Sequence, residues 1–402
     1  MEPGRRPFAP EEENNSMKVS RKLIALLGVL VLVATACNAG GGATTGPATE
    51  APASAAAATE VPATAAPAAK ISVQLQWVPQ AQFAGEFAAL NEGYYTAENL
   101  EVTLLAGGPN VSNVTVGSAP DGPEFTLAWV PKALEAVESG NSDLVSIAQI
   151  FQRSGTRSVS WKDSNITSVD QFKGKKIGVW DYGNEYEVTA GAMKYGLVAG
   201  TDYTKVIQDF NMAALLSRQI DVAEAMTYNE YAQVLEAINP ATGKLYQAED
   251  LNVIDWNVEG TAMLQDAIFA RKAWLETPGN EDIAVRFLRA TFKGWIFCRD
   301  NAAKCVEYVL AAGTTLGQGH QAWMMNEVNP LIWPSPAGIG ITDQALWDQT
   351  IGIATDGGIL KAAPASGAFR NDLAEKALAE ITGDTKGAGF TKGTVEVTEG
   401  GN

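Results

Sequence analysis

The stretch LQWVPQAQFAGEFAALNEGYY at residues 75–95, followed by LEVTLLA at 100–106, decides the fold of this chain. The alternating run VQLQW at 73–77 predicts a strand, and residues 83–91 predict a helix. A second strand is predicted at 101–106. Further strands are predicted downstream with helices between them, a pattern typical of parallel α/β architecture. From residue 278 onward the pattern is mostly helical.

The N-terminal segment predicts export and a lipid anchor. Basic residues at 18–22 precede an apolar run at 23–34, and small residues lead to Cys37, the pattern of a bacterial lipobox. Met17 is the predicted initiator, because residues 1–16 make a poor start to a signal. An ordinary signal or a membrane anchor is the alternative, although a span needs about 20 apolar residues. Residues 38–70 predict a flexible Ala/Thr/Pro tether.

Charge and cysteine content exclude several classes of protein. A net charge of −17 argues against nucleic acid as a partner. With Cys37 assigned to lipid, Cys298 and Cys305 remain, and both a disulfide and two buried free thiols are consistent with their spacing. The single histidine, His320, and the absence of CxxC argue against a metal site. The sequence indicates no cofactor.

Three tryptophans stand at predicted strand ends, namely Trp77, Trp129 and Trp180. Ligands of open α/β sheets bind outside the carboxyl ends of the strands, so these residues predict a site that stacks flat rings. Packing between lobes is the alternative role. Lys132 and Arg153 are the only nearby cations, and such a lining suits a neutral, hydrogen-bonding aromatic ligand better than an oxyanion.

Polar and aromatic residues follow the same strand ends. They are Gln80, Gln82 and Phe83 after the first strand, Asn184 and Glu185 after the third tryptophan, and Tyr228, Asn229 and Glu230 after residue 226. Helix capping is the alternative role for several of them. No nucleophile elbow, phosphate-binding loop or dinucleotide fingerprint is present. The sequence therefore predicts a binding protein and no enzyme.

The motifs LQWVPQAQFAGEFAALNEGYY, FKGKKIGVW (172–180) and IDVAEAMTYNEYAQ (220–233) resemble bacterial ABC-transporter substrate-binding proteins of the thiamine-pyrimidine-synthase-like superfamily. Asn99-Leu100 departs from the usual Gly-Leu of that superfamily. FQRSG, GVWDYGNEYE and HQAWMMNEVN resemble its riboflavin-binding branch most. The resemblance implies a type II periplasmic-binding-protein fold, with two α/β lobes, a two-strand hinge and a helical C-terminal extension.

On this basis we expect lobe 1 at 71–153 plus 266–390, lobe 2 at 154–265, and a flexible tail at 391–402. The implied function is capture of riboflavin outside the cytoplasm and delivery to a membrane permease. A thiamine pyrimidine precursor is the alternative solute, and a tethered scavenger or sensor is an alternative to transport. A pyrimidine synthase on the same fold is the remoter alternative, since those enzymes use a cysteine-rich motif and histidines. The predicted ligand-binding residues are Trp77, Gln82, Phe83, Trp129, Gln152, Trp180, Asn184, Glu185, Tyr228 and Asn229.

Overall fold

The computed structural model describes residues 67–402. The predictions for Met17, Cys37 and most of the tether lie outside the described residues. Within 67–402, no helix is long and apolar enough to cross a membrane. The first strand already begins at Ala69, so the predicted boundary between tether and lobe at residue 70 is two residues too late.

Twelve strands occur in the described residues. They are β1 (Ala69–Gln74), β2 (Leu100–Leu105), β3 (Phe125–Ala128), β4 (Leu144–Gln149), β5 (Thr156–Trp161), β6 (Lys176–Val179), β7 (Thr204–Ile207), β8 (Val222–Met226), β9 (Ile238–Asn239), β10 (Lys244–Leu245), β11 (Leu251–Asp255) and β12 (Ala267–Arg271).

Fourteen α-helices accompany these strands within residues 67–402. They are α1 (Ala84–Asn91), α2 (Tyr94–Ala97), α3 (Asn113–Ser118), α4 (Val130–Glu138), α5 (Tyr186–Lys194), α6 (Ala213–Leu216), α7 (Glu230–Leu235), α8 (Trp256–Glu259), α9 (Lys272–Leu275), α10 (Asn280–Asp300), α11 (Ala302–Ala311), α12 (Gln318–Ile332), α13 (Gln344–Asp356) and α14 (Asp372–Ala379).

The main strands form two five-stranded sheets that define two lobes. Lobe 1 has the strand order β2-β1-β3-β12-β4, and lobe 2 has the order β11-β5-β8-β6-β7. The neighbours of β1 run parallel to it, whereas β12 runs antiparallel to β3 and β4. In lobe 2, β5 runs antiparallel to β8 and β11. The fold is therefore α/β, with mixed sheets flanked by helices.

The chain passes between the sheets twice. It leaves lobe 1 after β4 and enters lobe 2 at β5, through residues 150–155. It returns through residues 260–266 and inserts β12 between β3 and β4 of the first sheet. The central strands β3, β8 and β12 are buried along their whole length, as expected for strands covered on both faces.

Lobe 1 owes its tight helix packing to small residues. Helix α10 lies against α1 so closely that a Cβ on Gly85 would come within 2.3 Å of the Trp295 ring. A Cβ on Gly294 would come within 2.1 Å of the Gly85 carbonyl oxygen. The sulfurs of Cys298 and Cys305 form a disulfide that joins α10 to α11. This packing fixes the segment that precedes α1, which carries Trp77.

The C-terminal residues correct one expectation. Residues 391–402 do not form a free tail, because Gly401 is buried and Lys392 forms an ion pair with Glu327 of α12. The backbone N–H of Gly400 also donates to the Glu236 carbonyl of lobe 2 at 3.1 Å. The Gly- and Thr-rich composition of this segment predicted flexibility, but these contacts hold it against both α12 and lobe 2.

Candidate functional site

A small cavity of about 50 Å³ lies between the two sheets, and it has to widen to reach the volume of a small-molecule site. Residues from both lobes line this inner cavity, and they are mostly aromatic or amide side chains. The lining residues are Gln76, Trp77, Gln80, Gln82, Trp129, Trp180, Asn184, Phe210, Met226, Tyr228, Asn229 and Glu230.

Trp129 comes directly after β3 and immediately before α4. Its indole N–H donates to Oδ2 of Asp266 at 3.1 Å, and the Gln82 amide donates to Oδ1 of the same carboxylate at 2.7 Å. The Gln80 amide in turn donates to Oε1 of Gln82 at 2.7 Å. Burial raises the pKa of Asp266 to about 7, and the two donated hydrogen bonds oppose that rise. One buried carboxyl therefore orients two residues of the cavity wall.

Trp180 occupies the matching position after β6 in lobe 2. Its backbone N–H donates to Oε2 of Glu224 at 2.8 Å, on the neighbouring strand β8. Glu224 is fully buried, and burial raises its pKa well above the usual range. The Trp180 side chain is only 3% exposed, and its indole N–H has no hydrogen-bond partner among the described residues.

The end of β8 and the turn after it bring four more residues to the cavity, namely Met226, Tyr228, Asn229 and Glu230. Tyr228 is 2% exposed and meets Phe151 edge-on, with ring centroids 6.2 Å apart. The Glu230 carboxylate accepts from the backbone N–H of Met226 at 3.0 Å and from the Asn229 amide at 2.9 Å. Burial raises the pKa of Glu230 to about 7.

His320 supports this turn from behind. Its Nε2 lies 3.0 Å from Oδ1 of Asn229, and its Nδ1 lies 2.8 Å from Oε1 of Glu236. His320 belongs to α12, which packs on lobe 1, while both partners belong to lobe 2. The Trp323 indole of α12 also donates to the Thr227 carbonyl at 3.0 Å. These bonds tie the two lobes together along one edge of the inner cavity.

Phe210 stands where the two lobes meet. Its ring centroid is 4.5 Å from that of Trp77 in lobe 1 and 6.2 Å from that of Trp180 in lobe 2. The Phe210 and Trp180 rings are nearly parallel, with an interplanar angle of 17°. Phe210 is 39% exposed and also lines a second, larger space. It therefore stands at the passage between the inner cavity and that space.

The second space, which we call the outer cleft, measures about 640 Å³. Gln76, Trp77, Asn184 and Phe210 line both spaces, so the two are continuous. The remaining walls come from residues 108–115, from α4 and from residues 181–186. Tyr182 and Gly183 on that wall adopt the left-handed conformation, with φ of 63° and 87°. This turn directs the chain from Trp180 into α5.

The structure brings seven of the ten predicted residues to the inner cavity, namely Trp77, Gln82, Trp129, Trp180, Asn184, Tyr228 and Asn229. Glu185 lies in the outer cleft instead. Phe83 is fully buried in the lobe 1 core. The Gln152 amide donates to the Gln149 and Ile341 carbonyls in the first crossing segment. Phe83 and Gln152 therefore line neither of the two spaces, and in this structure both make internal contacts.

Five lining residues were not among those predicted, namely Gln76, Gln80, Phe210, Met226 and Glu230. Gln80 and Glu230 are among the polar residues noted at the strand ends, although they are not in the list of predicted contacts. Gln76 is adjacent to Trp77, so its proximity in sequence was an available signal. Phe210 follows β7, a short and mostly exposed strand without apolar alternation. No pattern around Phe210 indicated that the chain would return to the cavity there.

A protein-family model described as NMT1/THI5 like matches residues 80–304. The chain belongs to the NMT1/THI5-like family. Among curated proteins, it is similar to riboflavin-binding protein RibY of Chloroflexus aurantiacus. The two are 24% identical over 358 residues, which cover 84% of this chain and 93% of that protein.

Solved structures share the fold at low identity. The alkanesulfonate-binding protein SsuA of Xanthomonas axonopodis pv. citri, bound to MOPS, matches with a TM-score of 0.55 and 12% identity. The match covers 76% of this chain and 100% of that one. The desulfurization enzyme DSZB matches with a TM-score of 0.51 and 14% identity, over 77% and 99% of the two chains. The fold of this NMT1/THI5-like chain is therefore that of periplasmic binding proteins, and it also occurs in an enzyme.

Proposed function

We propose that this protein is the solute-binding component of an ABC-type importer and that it captures riboflavin in the inner cavity. Aromatic residues from both lobes support this proposal. Trp77 and Trp129 come from lobe 1, and Trp180 and Phe210 come from lobe 2. Stacking on such faces favours a flat ring system, with each ring pair worth about 0.5–1.5 kcal/mol beyond the area it buries.

The observation that carries the proposal is a set of buried polar atoms without partners. Oε1 of Gln76, Oε1 of Gln80 and Nε1 of Trp180 have no hydrogen-bond partner among residues 67–402, and all three residues line the cavity. A buried polar group without a partner costs about 1–3 kcal/mol. The pyrimidine-type edge of an isoalloxazine ring carries one N–H between two carbonyl oxygens. Its N–H can donate to Oε1 of Gln80 and one of its carbonyls can accept from the Trp180 indole, which leaves Oε1 of Gln76 for another donor of the solute.

The charge of the cavity also favours a neutral solute. The twelve lining residues include no lysine or arginine, and Glu230 is the only carboxylate among them. Oxyanions such as sulfonate or phosphate require cations or several matched donors. Because the pKa of Glu230 is raised to about 7, this carboxyl group can either donate or accept a hydrogen bond with the solute near neutral pH. The lining therefore supports a neutral ring with hydrogen-bonding edges.

The N-terminal sequence supports a location for this activity outside the cytoplasm. The basic, apolar and small-residue pattern before Cys37 supports export, acylation of that cysteine and tethering to the outer face of the cell membrane. The closed protein would then meet a membrane permease, to which it hands the solute. In this role the protein binds and releases without chemistry, and riboflavin is cargo rather than cofactor.

A fluorescence titration tests the proposal. The protein is unfolded and refolded to remove any bound solute, and riboflavin is added while tryptophan and flavin emission are followed. We expect both to be quenched, with saturation at one solute per chain and a Kd below about 1 μM. If riboflavin causes no quenching and formylaminopyrimidine raises the Tm, the solute is a thiamine pyrimidine precursor rather than riboflavin. No response to either compound would reject both.

A further inference from the structure

The outer cleft carries an excess of negative charge at the point where a solute leaves the inner cavity. Glu135 of α4, together with Asp181 and Glu185 beyond Trp180, supplies three carboxylates to its lining, and Lys132 is its only lysine or arginine. Burial lowers the pKa of Lys132, while Glu185 and Glu135 oppose that shift. The ammonium of Lys132 thus already faces two carboxylates.

The partners of these carboxylates are described in the structure. Glu185 forms an ion pair with Lys205 at 3.7 Å and accepts from the Gly183 backbone N–H at 2.9 Å. Glu135 accepts from the Tyr186 hydroxyl, and both Glu135 and Asp181 help to raise the pKa of that hydroxyl after the effect of its burial. No hydrogen bond or ion pair within 67–402 involves the Asp181 carboxylate, so its charge is uncompensated.

A second observation indicates a hydrogen-bonding position at the entrance to this space. Gln76 lines both the inner cavity and the outer cleft, is 8% exposed, and leaves its Oε1 without a partner among the described residues. A donor on the solute would satisfy this oxygen at the junction. The stacking faces of Trp129 and Trp180 belong to the inner cavity, so a ring held there must extend any side chain past Gln76 into the outer cleft.

We propose that the outer cleft is a subsite for an uncharged, hydroxyl-bearing side chain of the solute and that its carboxylates exclude phosphorylated forms. This inference rests on the proposed capture of a flavin. Carboxylates and amides accept hydrogen bonds from hydroxyl groups. A phosphate monoester carries about −1.5 to −2 charges at neutral pH and would meet Asp181 and Glu135 as like charges. The selected solute is therefore riboflavin rather than riboflavin 5′-phosphate.

A comparison of the affinities of riboflavin and riboflavin 5′-phosphate tests the inference. Both are titrated against the full protein under the same low-salt buffer, with fluorescence quenching as the readout. We expect riboflavin 5′-phosphate to bind at least about tenfold more weakly than riboflavin, with the difference shrinking at high salt because mobile ions screen exposed charges. The double variant Asp181→Asn, Glu135→Gln keeps side-chain acceptors but removes two charges, and we expect the ratio of the two Kd values to fall by about threefold or more.

The control is Asp356→Asn, which removes an exposed carboxylate that lines neither space. We expect it to leave the ratio of the two Kd values at the wild-type value. Equal affinities of the wild-type protein for the two compounds would overturn the inference and leave riboflavin capture intact. A wild-type preference that the double variant retains in full would also overturn it. Binding of neither compound would instead reject the proposed function itself.

Discussion

The indole N–H of Trp129 donates to Oδ2 of Asp266, 3.1 Å away, beside the point where the chain returns from lobe 2 to lobe 1. Asp266 has a φ of 43°, a backbone conformation that residues other than glycine rarely adopt. It comes immediately before β12, so the second crossing segment and the cavity wall share one buried carboxyl. The backbone conformation of the second crossing segment and the orientation of the Trp129 ring in the cavity wall are therefore coupled.

Replacing Asp266 by asparagine tests this coupling. The Trp129 indole and the Gln82 amide both donate to Asp266, and asparagine offers one oxygen and places an NH₂ group against the other donor. We expect D266N to weaken solute binding about tenfold, which is about 1.4 kcal/mol, and to lower the Tm by several degrees. Asp356→Asn, at an exposed site, controls for loss of charge. Wild-type affinity in D266N would show that Trp129 keeps its position without this bond.

The stacking role of the tryptophans is tested by removing their rings. Trp77→Ala and Trp180→Ala each delete one aromatic face of the inner cavity, and we expect each to weaken riboflavin binding at least about tenfold. Trp274→Phe, at a half-buried tryptophan that lines neither space, is the control for general loss of indole. Isothermal calorimetry on all three, beside the wild type, measures the affinities. Unchanged affinity in both alanine variants would contradict the stacking model.

Phe210 leads to a prediction about rates. Because it contacts Trp77 across the lobes and lines both the inner cavity and the outer cleft, a solute entering by that route must displace it. We expect Phe210→Ala to raise the association and dissociation rates together by about tenfold, so that the Kd changes less than either rate. Stopped-flow quenching measures both. A change confined to dissociation would identify Phe210 as an ordinary contact residue rather than a gate.

The aromatic part of the site was predictable because it follows directly from strand ends. Trp129 and Trp180 each follow a buried strand without a gap, and the carboxyl ends of such strands face the cleft. The strand order of lobe 1 was harder to predict, because β12 inserts between β3 and β4 from more than 100 residues downstream of β4. Only the resemblance to a family indicated that return.

Long-range polar pairing could not be predicted at all. His320 and Glu236 lie 84 residues apart, and neither has a local pattern that marks it as a partner of the other. The same holds for residues 391–402, whose composition indicated a tail although Lys392 pairs with Glu327. In both cases the deciding contact joins residues that are distant in sequence, so it exists only once the chain has folded.

The buried acids lead to a prediction about pH. Burial raises the pKa of Glu86 and of Glu187 from 4.5 to about 8 each, and that of Asp266 from 3.8 to about 7. The folded protein therefore binds more protons than the unfolded chain between about pH 4 and pH 8. Stability is fully present below the ordinary carboxyl pKa and is lost as the pH rises through 7 to 8. Denaturant unfolding at pH 5 and pH 8 measures this loss.

Replacing Glu86 tests whether this carboxyl group causes the loss of folding stability between pH 5 and pH 8. It lies in α1 with both carboxylate oxygens buried and without a hydrogen-bond partner among the described residues, so its ionisation is opposed chiefly by burial. Glu86→Gln cannot ionise, and we expect it to raise the free energy of unfolding at pH 8 by about 1 kcal/mol or more, with a smaller effect at pH 5. Glu375→Gln, at an exposed position of α14, is the matched control and leaves the pH dependence unchanged. If E86Q and the wild type lose stability in parallel from pH 5 to pH 8, Glu86 is not a source of the pH dependence.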